Sequence, residues 1–428
     1  MGSAAFSRAQ AASPNETICM LANVSLIGST RYAAPEIVKA AGLTLNQGIT
    51  VSALKEASDR LAATGAFAQL NYRYVTRNNT MTVTFTVEDA PAPAPCAFDN
   101  LVWLSREEIM QTLRDRVPLF DGNVYPNGKM PEVISEVLRS MLEARGIYAK
   151  VQAMPGEMRG GSARRMTFQA VGVPIPVAKV EFQGVQKVDE ALLQQAAQPL
   201  LSMNYGTGLI GDFSRGTLSA VYRKRGYLRA AFGEPIPRLL SASSTPNSVA
   251  VTIPVTEGDQ YRLSEIAWSG ESVIPYTDLV KLLHHTLGSP VNAVQLDQDL
   301  FAVAAEFRTK GYLMAEAKGD AIFDDSAHSA IYSVQILQGD LYRLGKLEIS
   351  GLDAALAQTL VQRSRLKPGD PYDRTYWPIF QRENIDLLPR TTPAWRLQPH
   401  ETIHQDTKTV DVLLTFSPAL SRTRPAPE

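Results

Sequence analysis

A short phrase recurs along the chain at intervals of about 80 residues, and such a period indicates an array of similar units rather than one large fold. The phrase reads TGAF, RGIY, RGYL and KGYL, and its glycines are Gly65, Gly146, Gly226 and Gly311. We therefore expect one structural unit to be repeated, and we expect the function to belong to the array.

Each of these glycines follows a helix-like pattern and precedes strand-like patterns. Apolar residues before the glycine recur at helical spacing, as at Leu296, Leu300 and Val303, which predicts a helix with one buried face. After the glycine, apolar and polar residues alternate, as at Val334 and Ile336, which is typical of half-buried strands. The glycine is thus predicted to end the helix.

Each unit also opens with a strand-like segment that ends in glycine, at Gly28, Gly184, Gly270 or Gly351. The order strand, helix, helix, strand, strand then fills a unit of about 80 residues, which is the size of a small domain. We expect an α+β fold, a tandem array of five βααββ domains in which two helices cover one face of a three-stranded mixed sheet. The third strand should lie between the first and the second, which leaves the second strand at the edge.

The connections between units resemble those of a known family. The segments EGDQYRLSEIAWSG, ending at Gly270, and QGDLYRLGKLEISG, ending at Gly351, look like the boundary between consecutive polypeptide-transport-associated (POTRA) domains. The phrases RGYL and KGYL match the family's helix-to-strand turn, and KPGDPYDR resembles its connection between the two helices. The resemblance implies that Tyr261 and Tyr342 are domain-joint residues.

On this resemblance the five POTRA-like domains span 20–90, 97–174, 176–257, 261–339 and 342–417. The first strand of the second domain is predicted around Leu101 to Leu104. Residues 1–18 are predicted to be disordered, and 418–428 are predicted to form a proline-rich tail. The first joint, Ala90 to Pro95, alternates alanine and proline and is predicted to be semi-rigid, without contacts between the domains that it connects.

Composition and charge exclude several classes of function. A net charge of −1 gives no sign of a nucleic-acid partner, because such proteins carry a strongly basic face. No apolar run reaches the length of about 18 residues that a membrane-spanning helix needs.

Two cysteines, Cys19 and Cys96, bracket the first unit. An even count in an oxidising compartment invites a disulfide. Parallel first and third strands would place the two residues at opposite ends of the sheet, beyond the Cα separation of about 7 Å that a bridge tolerates. Two separate thiols are therefore favoured over a bridge.

No catalytic or cofactor motif stands out. The sequence has no nucleophile elbow, P-loop or dinucleotide fingerprint, and GTGLIG fits a connection between helices better than a phosphate loop. His400 and His404 have the spacing of a helical metal pair, but Pro399 and Thr402 predict extended chain. His284 and His285 are predicted to lie on a helix. We expect no enzyme activity, no metal, no cofactor and no small-molecule substrate.

The resemblance implies a periplasmic interaction module associated with the outer membrane, in which tandem POTRA domains receive unfolded outer-membrane proteins and dock accessory lipoproteins. It implies either the soluble part of a barrel-assembly-type outer-membrane protein, with an outer-membrane barrel following this chain, or a stand-alone relative of such a protein. The alternative is a structural spacer or division-type scaffold that binds no client. A hydrolase with an unrecognised site is a third interpretation. It is disfavoured because the sequence shows no set of polar residues that would come together as a catalytic site.

The two main hypotheses differ in whether a sheet edge is free. An extended client can add a strand to a free edge through main-chain hydrogen bonds, which any sequence can make. The second strand of the third domain is predicted over Tyr227 to Phe232, and the predicted client-binding edge is Leu228, Ala230 and Phe232.

Overall fold

The structure is a computed structural model that describes residues 17–91, 93–157, 164–240, 247–389 and 395–418. Residues 1–16 of the predicted disordered segment and 419–428 of the predicted tail lie outside this description. The described residues form five small sheets, each accompanied by helices. The predicted α+β class, with several small mixed sheets, is confirmed.

The chain divides into two compact units. One comprises Met1–Gln183, Ala197–Phe213 and Glu234–Pro254, and the other comprises Gly184–Ala196, Ser214–Gly233 and Val255–Glu428. The predicted third domain contributes residues to both units, so the predicted domain boundaries stay a prediction. We call the five sheet-containing segments repeats one to five; they span 19–89, 94–171, 177–256, 262–337 and 343–418.

Repeat one has a four-stranded sheet with the order β2-β1-β4-β3. Strands β1 and β4 are parallel, whereas β3 and β4 form an antiparallel hairpin. The buried core contains Leu21, Leu54 and Phe85, each almost wholly shielded from solvent. Its elements are β1 (Cys19–Ile27), α1 (Ala34–Ala40), β2 (Gly48–Ile49), α2 (Val51–Ala63), β3 (Phe67–Arg77) and β4 (Thr80–Asp89).

Repeat two repeats this plan with the strand order β6-β5-β8-β7. Its first strand begins earlier than predicted, since Leu101 to Leu104 form a turn before the first helix rather than a strand. The leucines face the core there, which gave the segment its apolar pattern. Its elements are β5 (Ala94–Phe98), α3 (Arg106–Arg116), β6 (Asn123–Val124), α4 (Met130–Glu143), β7 (Lys150–Glu157) and β8 (Arg164–Val171).

Repeat three has a central strand that pairs in parallel with its first strand and antiparallel with two short outer strands. A π-helical turn at Ser214–Leu218 separates its second and third helices. The elements are β9 (Val177–Gln183), α5 (Glu190–Ala197), α6 (Thr207–Phe213), α7 (Ser219–Arg223), β10 (Ala231–Phe232), β11 (Ile236–Leu239) and β12 (Val249–Thr256).

Repeats four and five have three-stranded sheets with the orders β13-β15-β14 and β16-β18-β17. Phe307 and Val334 lie in the core of repeat four, and Trp377 and Phe380 lie in that of repeat five. The elements of repeat four are β13 (Arg262–Ser269), α8 (Tyr276–Leu279), α9 (Ala293–Thr309), β14 (Glu316–Asp324) and β15 (Ser329–Leu337). Those of repeat five are β16 (Arg343–Ser350), α10 (Ala354–Arg363), α11 (Tyr376–Glu383), β17 (Trp395–His404) and β18 (Thr409–Pro418).

Candidate client-binding edges and domain joints

The second strand of each hairpin-bearing sheet lies at its outer edge, because the third strand pairs with both others. This order was predicted from the crossover and is confirmed. The outer strands are β3, β7, the interrupted pair β10 and β11, β14 and β17. Their free sides decide which of them can accept another strand.

The predicted edge residues of repeat three do not form one strand. Leu228 lies in a turn and packs against the core of repeat four. The N–H of Ala230 donates to the carbonyl oxygen of Tyr227 at 3.3 Å, so it is not an outward-facing ladder group. Of the three predicted residues only Phe232 belongs to a strand, where it pairs with Val255. The predicted strand from Tyr227 to Phe232 is therefore wrong.

The apolar residues between Tyr227 and Phe232 pack on surfaces other than a strand pairing. The ring of Tyr227 packs edge-on against Tyr222, with centroids 6.0 Å apart, and Phe232 packs against the same ring. Gly233 to Pro235 then interrupt the outer strand before β11 begins. The alternation of apolar residues at Leu228, Ala230 and Phe232 thus reflects packing around Tyr222 and on the core of repeat four, and not a continuous strand.

Three outer strands carry a proline: Pro155 in β7, Pro237 in β11 and Pro399 in β17. Proline has no N–H to give to the central strand, so an edge-strand proline sits where the N–H would face outward. The strand register of β17 shows this for Pro399. The N–H of Arg343 donates to the carbonyl oxygen of Lys408, so the backbone groups of every second residue from Lys408, including Leu414, face β16. Pro399 pairs with Leu414, so its own nitrogen faces away from the sheet. Each proline removes a donor that an added strand would need.

Strand β14 has nine residues and contains no proline. The N–H of Arg262 donates to the carbonyl oxygen of His328 at 2.9 Å, so every second residue after His328 faces β13. The residues of β14 that lie opposite these β13-facing residues of β15 therefore turn their N–H and C=O groups away from the sheet. These outward-facing residues are Ala317, Gly319, Ala321 and Phe323.

Strand β3 has eleven residues and is also free of proline. The N–H of Met20 donates to Asn79 at 2.9 Å, which fixes the facing of β4 in the same way. The outward-facing residues of β3 are Leu70, Tyr72, Tyr74 and Thr76. The sequence placed the second strand of every repeat at the edge, but the predicted client-binding edge was that of repeat three and not β3 or β14. The signal that distinguishes β3 and β14 is the lack of proline, which becomes informative only with the register.

Tyr261 lies between repeats three and four and contacts both of them. The N–H of Tyr261 donates to the carbonyl oxygen of Gly226 at 2.8 Å, and its hydroxyl donates to Asp325 at 2.7 Å. The Arg229 guanidinium lies 5.4 Å from the Tyr261 ring centroid and 4.2 Å from that of Phe323. Hydrogen bonds from Tyr261 and Arg229 hold the pKa of Asp325 below its usual range.

The joint between repeats four and five follows the same plan. The N–H of Tyr342 donates to the carbonyl oxygen of Gly311 at 2.8 Å. The Lys408 ammonium lies 5.8 Å from the Tyr342 ring centroid and forms an ion pair with Asp340 at 2.7 Å. The glycine of the recurring phrase thus receives the first strand of the following repeat.

The first joint is closely packed, contrary to the expectation of a linker without contacts. The N–H of Lys129 donates to Ala63 at 2.7 Å, next to the helix-ending Gly65. Arg31 donates to the carbonyl oxygen of Ala90 at 2.7 Å and to the hydroxyl of Tyr125 at 3.2 Å. The alternation of alanine and proline could not reveal these contacts because none of their donors lies in the linker.

The joint between repeats two and three lacks this bond. The N–H of Ile175, which corresponds to Tyr261, donates to the side chain of Asn204 within its own repeat. A Cβ added at Gly146 would meet no described atom within 4 Å. Contact is made instead by Asp99, whose carboxylate accepts the N–H of Gly208 at 2.9 Å.

Cys19 and Cys96 are both free and buried, each in the core of a different repeat. Burial raises the pKa of the Cys96 thiol to about 12, which keeps it protonated and unreactive. The structure therefore describes two separate buried thiols, and the bridge between Cys19 and Cys96 stays an untested prediction.

The histidines occupy structural positions. His400 and His404 lie in β17, so the extended chain predicted there is confirmed, and His404 contacts Asp411 at 3.1 Å. His284 and His285 follow a short helix and lie in a loop, so their predicted helical position is wrong. Asp299 is 3% exposed and accepts the backbone N–H of His284 at 2.6 Å. Nothing in the sequence indicates this buried position, because aspartate is usually exposed.

Comparisons with known proteins give one curated relative. No family model matches the chain. The chain is 20% identical over 282 residues to a protein of Treponema pallidum described as "Putative outer membrane protein assembly factor". The match covers 64% of this chain but only 33% of that protein's length. Together with the strand and helix order, this relative supports the POTRA-type assignment.

Solved structures with a likeness to the chain include BamA and CdiB. POTRA domains 3 to 5 of BamA from Haemophilus influenzae are 20% identical, covering 57% of this chain and 96% of that one, with a TM-score of 0.43. CdiB from Escherichia coli is 19% identical, covering 50% of this chain and 35% of that one, with a TM-score of 0.23. With TM-scores below 0.5, these superpositions do not establish a shared arrangement of the whole chain.

None of the helices that the structure describes combines the length and the hydrophobicity of a membrane span.

Proposed function

We propose that this chain is a periplasmic interaction module for the assembly of outer-membrane proteins, and that it binds extended polypeptide segments by strand addition at β14 and β3. The observation that carries the proposal is the pair of long, proline-free outer strands whose backbone groups face outward. The similarity to an outer-membrane assembly factor supports the setting. Unfolded outer-membrane proteins and accessory lipoproteins are the proposed partners.

Strand addition suits a receptor that must accept many different segments. The added strand bonds to main-chain N–H and C=O groups, which every sequence supplies. On β14 these groups belong to alternate residues from Ala317 to Phe323, and the small side chains of Ala317 and Ala321 leave them accessible. On β3 the exposed Tyr74 adds an aromatic surface beside the same kind of ladder.

The alternative function is a structural spacer without client binding. The prolines in β7, β11 and β17 favour it, because they block strand addition at three outer strands. The close contacts at Tyr261 and Tyr342 favour it too, since they suit repeats held in fixed succession. The two functions differ in whether β3 and β14 capture an extended peptide.

The test places proline at an outward-facing position of each open edge. Ala321→Pro and Tyr74→Pro remove outward N–H groups without removing a bond to the central strand, so both variants should fold. Ala153→Pro is the matched control, since Ala153 is also a partly buried alanine at an outward-facing position, in a strand that already contains Pro155. Circular dichroism of each variant checks the fold.

The probe is a fluorescent ten-residue peptide of alternating threonine and valine with lysines at both ends, and the readout is anisotropy with the full chain. We expect Ala153→Pro to bind like the unaltered chain, each single edge variant to bind more weakly, and Ala321→Pro with Tyr74→Pro to lose binding. The same peptide with alternate backbone nitrogens methylated should not bind. No binding by the unaltered chain would favour the spacer, and undiminished binding by the double variant would show that the peptide binds somewhere other than β3 and β14.

A further inference from the structure

A small apolar cavity lies where repeats one and two meet. Its volume is about 270 Å³, close to the lower end of ligand-binding pockets. The walls come from the ends of α1 and α2 and from the beginning of α4. The apolar lining includes Ala40, Ala63, Val117, Met130 and Val133.

The charges at this cavity have one sign. Lys129 and Arg60 line it, and none of its lining residues is acidic. Arg60 donates to the carbonyl oxygen of Ala41 and has Glu56 at 4.0 Å. The exposed Lys129 ammonium has no ion-pair partner among the residues that the structure describes. A negatively charged group would therefore find an unpaired cation at this rim.

The beginning of α4 adds to the positive potential. Lys129 occupies the N-cap position of this 14-residue helix; Pro131 has no N–H, and no side chain caps the other N–H groups of the first turn. The free N–H groups at a helix N-terminus favour a carboxylate. The apolar walls, Lys129 and the helix end thus converge on a ligand that joins an apolar group to a carboxylate.

A second cavity of about 310 Å³ continues the first. The two share Ala40, Val117 and Pro118. The second is lined by charges of both signs, among them Lys39 and Asp115. An acyl chain would need apolar walls throughout, whereas a polypeptide carries polar main-chain groups that suit this continuation.

We propose that this joint pocket binds an extended peptide segment in which an apolar side chain stands beside an acidic one. The apolar side chain fills the cavity between Ala63 and Val133, and the neighbouring carboxylate lies near Lys129 and the start of α4. The peptide main chain continues along the second cavity. This site uses side-chain recognition and does not depend on strand addition to β3 or β14.

The experiment compares two fluorescein-labelled heptapeptides, Ser-Gly-Glu-Phe-Glu-Gly-Ser and its counterpart with lysines in place of the glutamates. Anisotropy is measured with the full chain. The variant Lys129→Glu reverses the charge at the rim, and an acidic residue at a helix start keeps the helix stable. Ala63→Leu fills the cavity. Lys150→Glu is the matched control, an exposed lysine of repeat two outside the joint pocket.

We expect saturable binding of the glutamate peptide alone, weakened about tenfold by Lys129→Glu and by Ala63→Leu and unchanged by Lys150→Glu. Binding should also survive Ala321→Pro with Tyr74→Pro, which separates this site from the proposed edges. Equal binding of both peptides, or equal binding by Lys129→Glu, would overturn the proposal. So would the capture of dansyl-undecanoic acid without capture of the peptide, since the occupant would then be a lipid.

Discussion

The N–H of Tyr261 donates to the carbonyl oxygen of Gly226 at 2.8 Å, which attaches the first strand of one repeat to the helix-ending glycine of the repeat before it. The same bond joins Tyr342 to Gly311. At Gly226 and Gly311 the recurring phrase therefore marks a connection between neighbouring repeats as well as a turn within a repeat.

Replacing Gly226 should loosen this connection. Its φ of +84° suits glycine, and an added Cβ would lie 2.7 Å from the carbonyl oxygen of Tyr261. We expect Gly226→Ala to destabilise the chain by about 2–4 kcal/mol, from backbone strain and overpacking together. Gly146→Ala is the control, because Gly146 has a φ of +75° but open space around it, and it should cost about 1 kcal/mol. Urea denaturation measures both, and equal losses would contradict the role of the close contact.

Glu257 should make the stability depend on acid pH. Burial of the carboxylate would raise its pKa, but hydrogen bonds from the N–H groups of Gln186, Lys187 and Val188 and from the Tyr222 hydroxyl outweigh burial and lower it. The stabilisation is present above the unfolded pKa of about 4.3 and is lost as the pH falls through the lower folded pKa.

We expect Glu257→Gln to cost about 1–3 kcal/mol at neutral pH, because an amide turns donors toward the backbone N–H groups. The stability of this variant should fall less steeply than that of the unaltered chain below about pH 4. Urea unfolding between neutral and acid pH measures both slopes. Equal slopes of stability against pH in the variant and the unaltered chain would show that Glu257 does not hold the segment from Gln186 to Val188 in place.

Arg229 should protect the joint from protease. Its guanidinium lies against the rings of Tyr261 and Phe323 and forms an ion pair with Asp325 at 2.8 Å. We expect Arg229→Ala to speed cleavage near Tyr261 in limited proteolysis, because both contacts are lost. Arg238→Ala is the control, since Arg238 is exposed and its nearest acid lies 4.0 Å away. Unchanged cleavage in both variants would assign the joint to the Tyr261 backbone bond alone.

Asp299 should matter more to stability than the histidine that contacts it. Its buried carboxylate accepts the backbone N–H of His284 at 2.6 Å and the amide of Gln295 at 2.9 Å. Asp299→Ala leaves these donors unpaired and should cost about 2–3 kcal/mol. His284→Ala keeps the backbone donor and removes an exposed ring, so we expect a loss below about 1 kcal/mol. Thermal unfolding compares the two, and a larger loss for His284→Ala would contradict this account.

Much of the fold followed from the sequence because local rules fixed it. Gly28, Gly184 and Gly270 end first strands as predicted, with φ between +94° and +97°. At Gly28 an added Cβ would lie 2.1 Å from the carbonyl oxygen of Val87, so the third strand passes too close for any side chain. A left-handed turn against a neighbouring backbone leaves glycine as the only suitable residue, and this requirement is visible in one sequence.

The candidate site was less accessible to sequence reasoning because it depends on contacts between distant residues. Leu228 looked like a strand residue, yet its side chain packs on the core of the following repeat. The outward facing of Pro155 and Pro399 follows from the register with the central strands, which alternation alone does not supply. The contact of Lys129 with Ala63 joins two repeats and has no signature in either segment.

The prolines of the outer strands have a consequence for concentrated solutions of this chain. Unprotected edges also pair with each other, so a chain with many open edges would cross-link its own copies into a network. With Pro155, Pro237 and Pro399 in place, β3 and β14 are the long proline-free strands on the hairpin side of the described sheets. Each outer strand that a proline blocks removes one such contact, so these prolines lower the number of copies that one molecule can join and make a branched gel less favourable.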